Sequence, residues 1–135
     1  MTKAFLPVAE AFKNNENEKA VHLLINGVMG DSLYFSNLPQ WQREIMLANS
    51  AELRDAMFSK DVDRPITCDD LKKIKVPVLL LNGDKSPIFF ASMSGELNRC
   101  LSNREKATLR NTSHGLEYET PSEFNKAVLG FIDKH

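Results

Sequence analysis

The chain has 135 residues, of which 42% are hydrophobic and 26% charged, with a formal net charge of -1. Those fractions match an average soluble globular protein, exclude a low-complexity or disordered chain, and suit one domain or part of a larger one. A charge so near zero gives no electrostatic basis for binding nucleic acid or an anionic membrane surface, and no apolar run reaches the about 18 residues that a membrane span needs.

The opening Met1-Thr2-Lys3-Ala4-Phe5-Leu6-Pro7 lacks a long apolar core and a small-residue cleavage site, so no signal peptide is expected and the location reads as cytoplasmic. Cys68 and Cys100 sit in no CxxC motif or Cys/His cluster. In a reducing cytoplasm they read as two unpaired buried thiols.

Phe5, Val8, Ala9 and Phe12 recur at helical spacing, and Pro7 fits only near the start of that helix. After the polar break Asn14-Asn15-Glu16-Asn17, Ala20, Leu23, Leu24 and Val28 form a second helical stripe, ended by Gly27 and Gly30. Residues 20–25 also fit a strand. Pro39 opens a third helix through Trp41, Ile45, Met46 and Leu47, and Ser50 is placed to cap a fourth through Leu53, Ala56 and Met57. Residues 59–67, charged and carrying Pro65, read as a loop, and Asp69 or Asp70 caps a short helical turn reaching Ile74.

From there the pattern becomes β-α-β-α, which makes the fold class α/β. Val76-Pro77-Val78-Leu79-Leu80-Leu81 is a continuous apolar run, as in a strand buried on both faces of a parallel sheet. Asn82-Gly83-Asp84 ends it, and Ser86 caps a helix that has Pro87 at its first position and runs to Leu101. A second strand over 106–110 should lie parallel to the first. Thr120-Pro121-Ser122-Glu123 reads as a capping box, and Phe124, Ala127, Val128, Phe131 and Ile132 form the buried stripe of a last helix. No internal repeat is present.

Three segments of this half carry a resemblance. They are the stretch from Ile74-Lys75-Val76-Pro77 to Asn82-Gly83, then Thr112-Ser113-His114-Gly115, then Glu119-Thr120-Pro121-Ser122-Glu123-Phe124-Asn125. In order and spacing, residues 70–135 resemble the end of the α/β-hydrolase family. The resemblance implies an "I-x-V-P" approach to the seventh strand, a catalytic-histidine loop and the final helix. It makes residues 1–67 a helical cap-like segment and 68–135 the C-terminal β-α-β-α segment of the hydrolase core. The chain has no G-x-S-x-G nucleophile elbow and no HGGG-type oxyanion loop. It therefore resembles a truncated product or an excised segment of such an enzyme, inactive by itself.

The resemblance gives His114 the role of general base, taking a proton from the nucleophile and later returning it. The family often has G-x-x-D after the seventh strand, whereas Gly83-Asp84-Lys85-Ser86 puts serine at that place. Some hydrolases of this type carry G-x-x-S-P here and hold the acid after the sixth strand, which would lie upstream of Met1. Ser86 then reads as a helix cap, and Asp84 is a second choice for the acid. Phe89, Phe90 and Trp41, with Tyr34 and Phe35, are candidates to line a substrate pocket, with core packing the alternative.

The implied parent enzyme hydrolyses a small ester without metal or organic cofactor. Two other readings stand beside it. The chain fits a small protein-interaction or ligand-binding module. Gly30-Asp31-Ser32-Leu33 spells the GDSL string of another esterase superfamily, with Ser32 as nucleophile, but Asn111 stands where its Asp-x-x-His pair needs aspartate before His114. Ser32 otherwise reads as a cap or turn residue. His22 and His135 have no metal-ligand spacing with other residues. Two strands cut from a larger sheet expose edges, so a homodimer is expected.

Overall fold

The computed structural model describes residues 5–59 and 65–135. Residues 1–4, part of the opening read for a signal peptide, and residues 60–64 of the loop expected over 59–67 therefore lie outside the described residues. The chain divides into two compact units, Met1–Asp63 and Arg64–His135. Among the described residues it is mostly helical, with two parallel strands in one sheet.

The regular elements among the described residues of the first unit are helices: α1 (Leu6–Lys13), α2 (Asn17–Met29), α3 (Tyr34–Asn37), α4 (Gln40–Ala48) and α5 (Ser50–Phe58). Pro7 falls in the first turn of α1, where its missing N–H has no intrahelical role. Val8, Ala9, Ala11 and Phe12 put the buried face of α1 against Ala20 of α2, and Leu24, Leu53 and Met57 close around them. Burying Phe12, at 1% exposure, stabilises the unit by roughly 1.5–3 kcal/mol.

Residues 20–25 are helical, which removes the strand alternative. Gly27 lies inside α2, and Gly30 alone ends it, in the left-handed conformation (φ 75°) that a side chain resists. Ser50 is the first residue of α5 and not its cap. A single residue, Asn49, joins α4 to α5, and its amide instead donates to the Ile45 carbonyl at 2.7 Å.

The second unit runs α6 (Cys68–Leu71), β1 (Val78–Gly83), α7 (Ile88–Cys100), β2 (Arg104–Leu109), α8 (Leu116–Glu119) and α9 (Pro121–Ile132). The cap of α6 is Thr67, whose hydroxyl accepts from the Asp70 N–H while the Asp70 carboxylate accepts from the Thr67 N–H. Thus Asp70 closes the box from inside the helix instead of capping it, and Asp69 is likewise helical. This turn brings Cys68 to the last residue of α7, and Cys68 and Cys100 form a disulfide with Cα atoms 4.9 Å apart. The expectation of two free thiols is corrected accordingly.

β1 begins after Pro77, which has no N–H to give a ladder. It pairs with β2 in parallel, Val78 opposite Arg104 through Gly83 opposite Leu109. The strand was expected to be buried on both faces, yet its residues up to Asn82 are only half-buried, because two strands cannot cover each other's faces. β2 alternates exposed and covered residues, the pattern of a sheet with one face packed. Asn82 donates to Ser94 of α7 at 2.7 Å, whereas Glu105 meets Lys134 and His135 just past α9. Asn82 and Glu105 occupy opposite faces in this register, so α7 and the end of α9 flank the sheet on opposite sides.

Two expected caps differ. Pro87 is the N-cap of α7, and Ser86 lies outside the helix. Thr120 does precede α9, but no capping box forms, because its hydroxyl turns to Thr112 and the Leu116 carbonyl. On α9, Phe124, Ala127, Val128 and Phe131 are half-buried, while Ile132 is 59% exposed. The expected stripe is thus covered only in part.

Candidate functional site

The parallel register carries the ends of β1 and β2 to one side of the second unit, and the loops that follow them interlock there. The Asp84 N–H donates to the Leu109 carbonyl at 3.0 Å, and the Lys85 N–H donates to the Thr112 carbonyl at 2.9 Å. The Asp84 carboxylate accepts from the Thr112 N–H at 3.3 Å. Gly83 lies beneath this crossing, and a Cβ there would fall on the carbonyl oxygens of Thr112 and Ser113. Only glycine lets the loop come this close.

Thr112 is fully buried, with its hydroxyl donating to the Arg110 carbonyl at 2.9 Å and lying 3.1 Å from the Thr120 hydroxyl. Glu119 of α8 holds the next residue: its carboxylate accepts from the Ser113 N–H at 2.7 Å and from the Ser113 hydroxyl. Asn111, at φ 57°, provides the turn that starts the loop. His114 is therefore presented by a loop anchored at both neighbours.

The His114 ring stacks on Phe90 of α7, with centroids 3.6 Å apart and planes 9° from parallel. Phe89 packs on Phe90 at 3.9 Å. Beside His114 is a cleft of ≈ 300 Å³ whose walls include Leu79, Leu81, Phe90, Met93 and Leu97. No charged side chain lines it. Among the described residues the imidazole has no hydrogen-bonding partner, so neither nitrogen is committed to one tautomer.

A larger hollow of ≈ 740 Å³ lies along α2, beside Glu16, Glu18, Lys19 and His22. It is an open groove lined almost wholly by polar side chains, with Lys19 and Glu16 paired at 2.7 Å, whereas the smaller cleft is mostly apolar with a few polar groups, so the smaller cleft is the candidate site.

Of the residues expected to act, His114 and Phe90 meet in the cleft, with Phe89 behind them. Asp84 stands at the same loop crossing, but its carboxylate accepts from the Thr112 amide, and among the described residues no hydrogen bond joins it to His114. Ser86 lines the cleft. Trp41 belongs to α4 of the first unit, 59% exposed. Ser32 stands in the turn between α2 and α3, where Asn26 organises the chain: its amide donates to the Ser32 carbonyl at 2.6 Å, and its oxygen accepts from the Phe35 N–H at 2.9 Å. His22 packs against the Phe35 ring, and His135 meets Glu105 at 2.8 Å. Among the described residues no group of His, Cys, Asp or Glu could hold a metal ion.

Sequence reasoning missed the loop anchors Glu119 and Thr112. Both flank His114 in the sequence, and a carboxylate and a β-hydroxyl a few residues from a candidate base were the available signal. No helix among the described residues is long and apolar enough to cross a membrane. The chain matches no protein-family model and no curated protein.

Proposed function

We propose that the second unit is the histidine-bearing end of a serine-type α/β-hydrolase fold, and that the chain by itself binds a small neutral ester without turning it over. The observation that carries this reading is the placement of His114. It stands in the loop after the second of two parallel strands, beside an uncharged cleft, without a hydrogen-bonded nucleophile or acid among the described residues. A general base works on a proton within about 2.6–3.2 Å of it. Ser86 and Ser94 line the cleft with His114, but among the described residues no hydroxyl is hydrogen-bonded to the imidazole. The cleft suits an acyl or alkyl group packed on the leucines, with the ester oxygen towards His114. In this reading residues 1–67 correspond to the cap segment of the parent enzyme.

The test is a titration with a small neutral ester such as ethyl butyrate, followed by NMR of the His114 ring. Saturable shifts of His114 and Leu79 resonances, lost in Phe90→Ala, are expected. Shifts that grow linearly with ester, or that map only to the groove along α2, would overturn the assignment of the cleft.

A further inference from the structure

The geometry points to the free edge of β1 as a self-association site, at which a second copy of this chain adds its own β1 in antiparallel orientation. Among the described residues the sheet order is β1-β2, so β1 has a neighbour on one side only. The direction of its backbone groups can be read from two bonds. The Val78 N–H donates to the Asn103 carbonyl and the Asp84 N–H to the Leu109 carbonyl, both towards β2. Backbone groups alternate along a strand, so Val78, Leu80 and Asn82 face β2, and Leu79 and Leu81 direct N–H and C=O outward.

A twofold axis perpendicular to the sheet at Leu80 sets Leu79 of one copy opposite Leu81 of the other. Each such pair exchanges both backbone bonds, and the axis generates two pairs. The side chains that meet are Val78 with Asn82, Leu79 with Leu81, and Leu80 with itself, all uncharged. The other strand differs in charge: Arg104, Lys106 and Arg110 place basic groups on β2 and at its end, a usual guard against pairing. From Val76 to Asn82, β1 has no charged residue, and Pro77 stands before its first paired position.

The cleft supports the same occupant. It is lined by the consecutive residues Leu79, Leu80, Leu81, Asn82 and Gly83, so its wall is the strand edge and not one face of the sheet. A second β1 seated there would cover Met93 and Leu97 with leucines and meet a lining without charge. This inference does not rest on the proposed ester binding, since a second β1 and an ester would compete for the same leucines, and its test involves no ester.

The experiment is residue-resolved amide exchange of the whole chain at low and high micromolar concentration, with mass measured by sedimentation. A dimer is expected, with the Leu79 and Leu81 amides slowed at least tenfold at the higher concentration while Val78 and Leu80 are protected at both. Leu79→Pro removes an outward-facing N–H together with the leucine side chain and leaves the bonds to β2 in place, and it is expected to give a monomer with unchanged helical circular dichroism. A monomeric mass at both concentrations would overturn the proposal. So would a dimer whose Leu79 and Leu81 amides exchange as fast as those of the monomer. If Leu79→Pro does not fold, the wild-type exchange pattern still decides the matter.

Discussion

Gly83 is where the two strand-end loops touch, and its lack of a side chain is what lets them do so. Gly83→Ala must push the 112–113 backbone away, and we expect a loss of about 1–3 kcal/mol, the usual cost of overpacking, read from the urea midpoint. The same change should shift the His114 ring resonances, because the moved carbonyls belong to its own loop. Glu119 holds the same stretch at Ser113. Glu119→Ala leaves the Ser113 N–H and hydroxyl to water, and it should cost about 1 kcal/mol while broadening or shifting the His114 signals. Unchanged His114 resonances in both variants would show that the loop is held by something else. Of these residues, His114 was readable because it stands in a recognisable loop string. Glu119 was readable only as part of a helix-start pattern, since sequence spacing does not reveal that a carboxylate folds back six residues to Ser113.

At the scale of elements, periodicity located α1 and left α2 open between helix and strand over 20–25, with Val8, Ala9, Phe12 and Ala20 burying one face of each, whereas the short α3 was not foreseen. The continuous apolar run likewise located β1. Caps were less legible. Thr67, Asn49 and Pro87 took places expected of Asp69 or Asp70, Ser50 and Ser86; only Thr67 caps through its side chain, while Asn49 and Pro87 hold the position by backbone conformation alone. The disulfide was not legible, since two cysteines 32 residues apart in sequence give no hint that α6 docks on the end of α7. Cross-linking a loop of that length should stabilise the second unit by roughly 3–4 kcal/mol. Cys68→Ala or dithiothreitol should lower its unfolding midpoint accordingly, and mass spectrometry without reductant should give a mass two protons below the dithiol. A mass equal to the dithiol in the non-reduced protein would contradict the pairing.

A second element-scale contact responds to pH. Hydrogen bonds from Lys134, at 2.6 Å, and from His135 hold the Glu105 carboxyl below the usual carboxylate range. A lowered folded-state pKa makes the contribution complete above the unfolded value of about 4.3, and it is lost as pH falls through the lower folded value. The pair is exposed, so its effect is small and screened by salt. Urea midpoints of wild type and Glu105→Gln should differ near pH 7 and converge near pH 3, and the difference should shrink in about 1 M salt. A gap that widened on acidification would contradict this assignment.

For the molecule as a whole, the α/β pattern with two parallel strands was legible from the apolar run, the intervening helix and the second strand. The degree of covering was not. A sequence that reads as a strand buried on both faces turns out half-buried along Val78 to Asn82, and Leu129 and Ile132 of α9 are 58% and 59% exposed. Such apolar exposure fits a unit whose surface is completed by association.

His114 stands beside an apolar cleft, and among the described residues no nucleophile is hydrogen-bonded to it. The most direct measurement is hydrolysis of p-nitrophenyl acetate by wild type, His114→Ala and Ser32→Ala. We expect a non-saturating rate no greater than that of free imidazole at equal concentration, with Ser32→Ala equal to wild type. Saturable turnover abolished both by His114→Ala and by one serine substitution would contradict it.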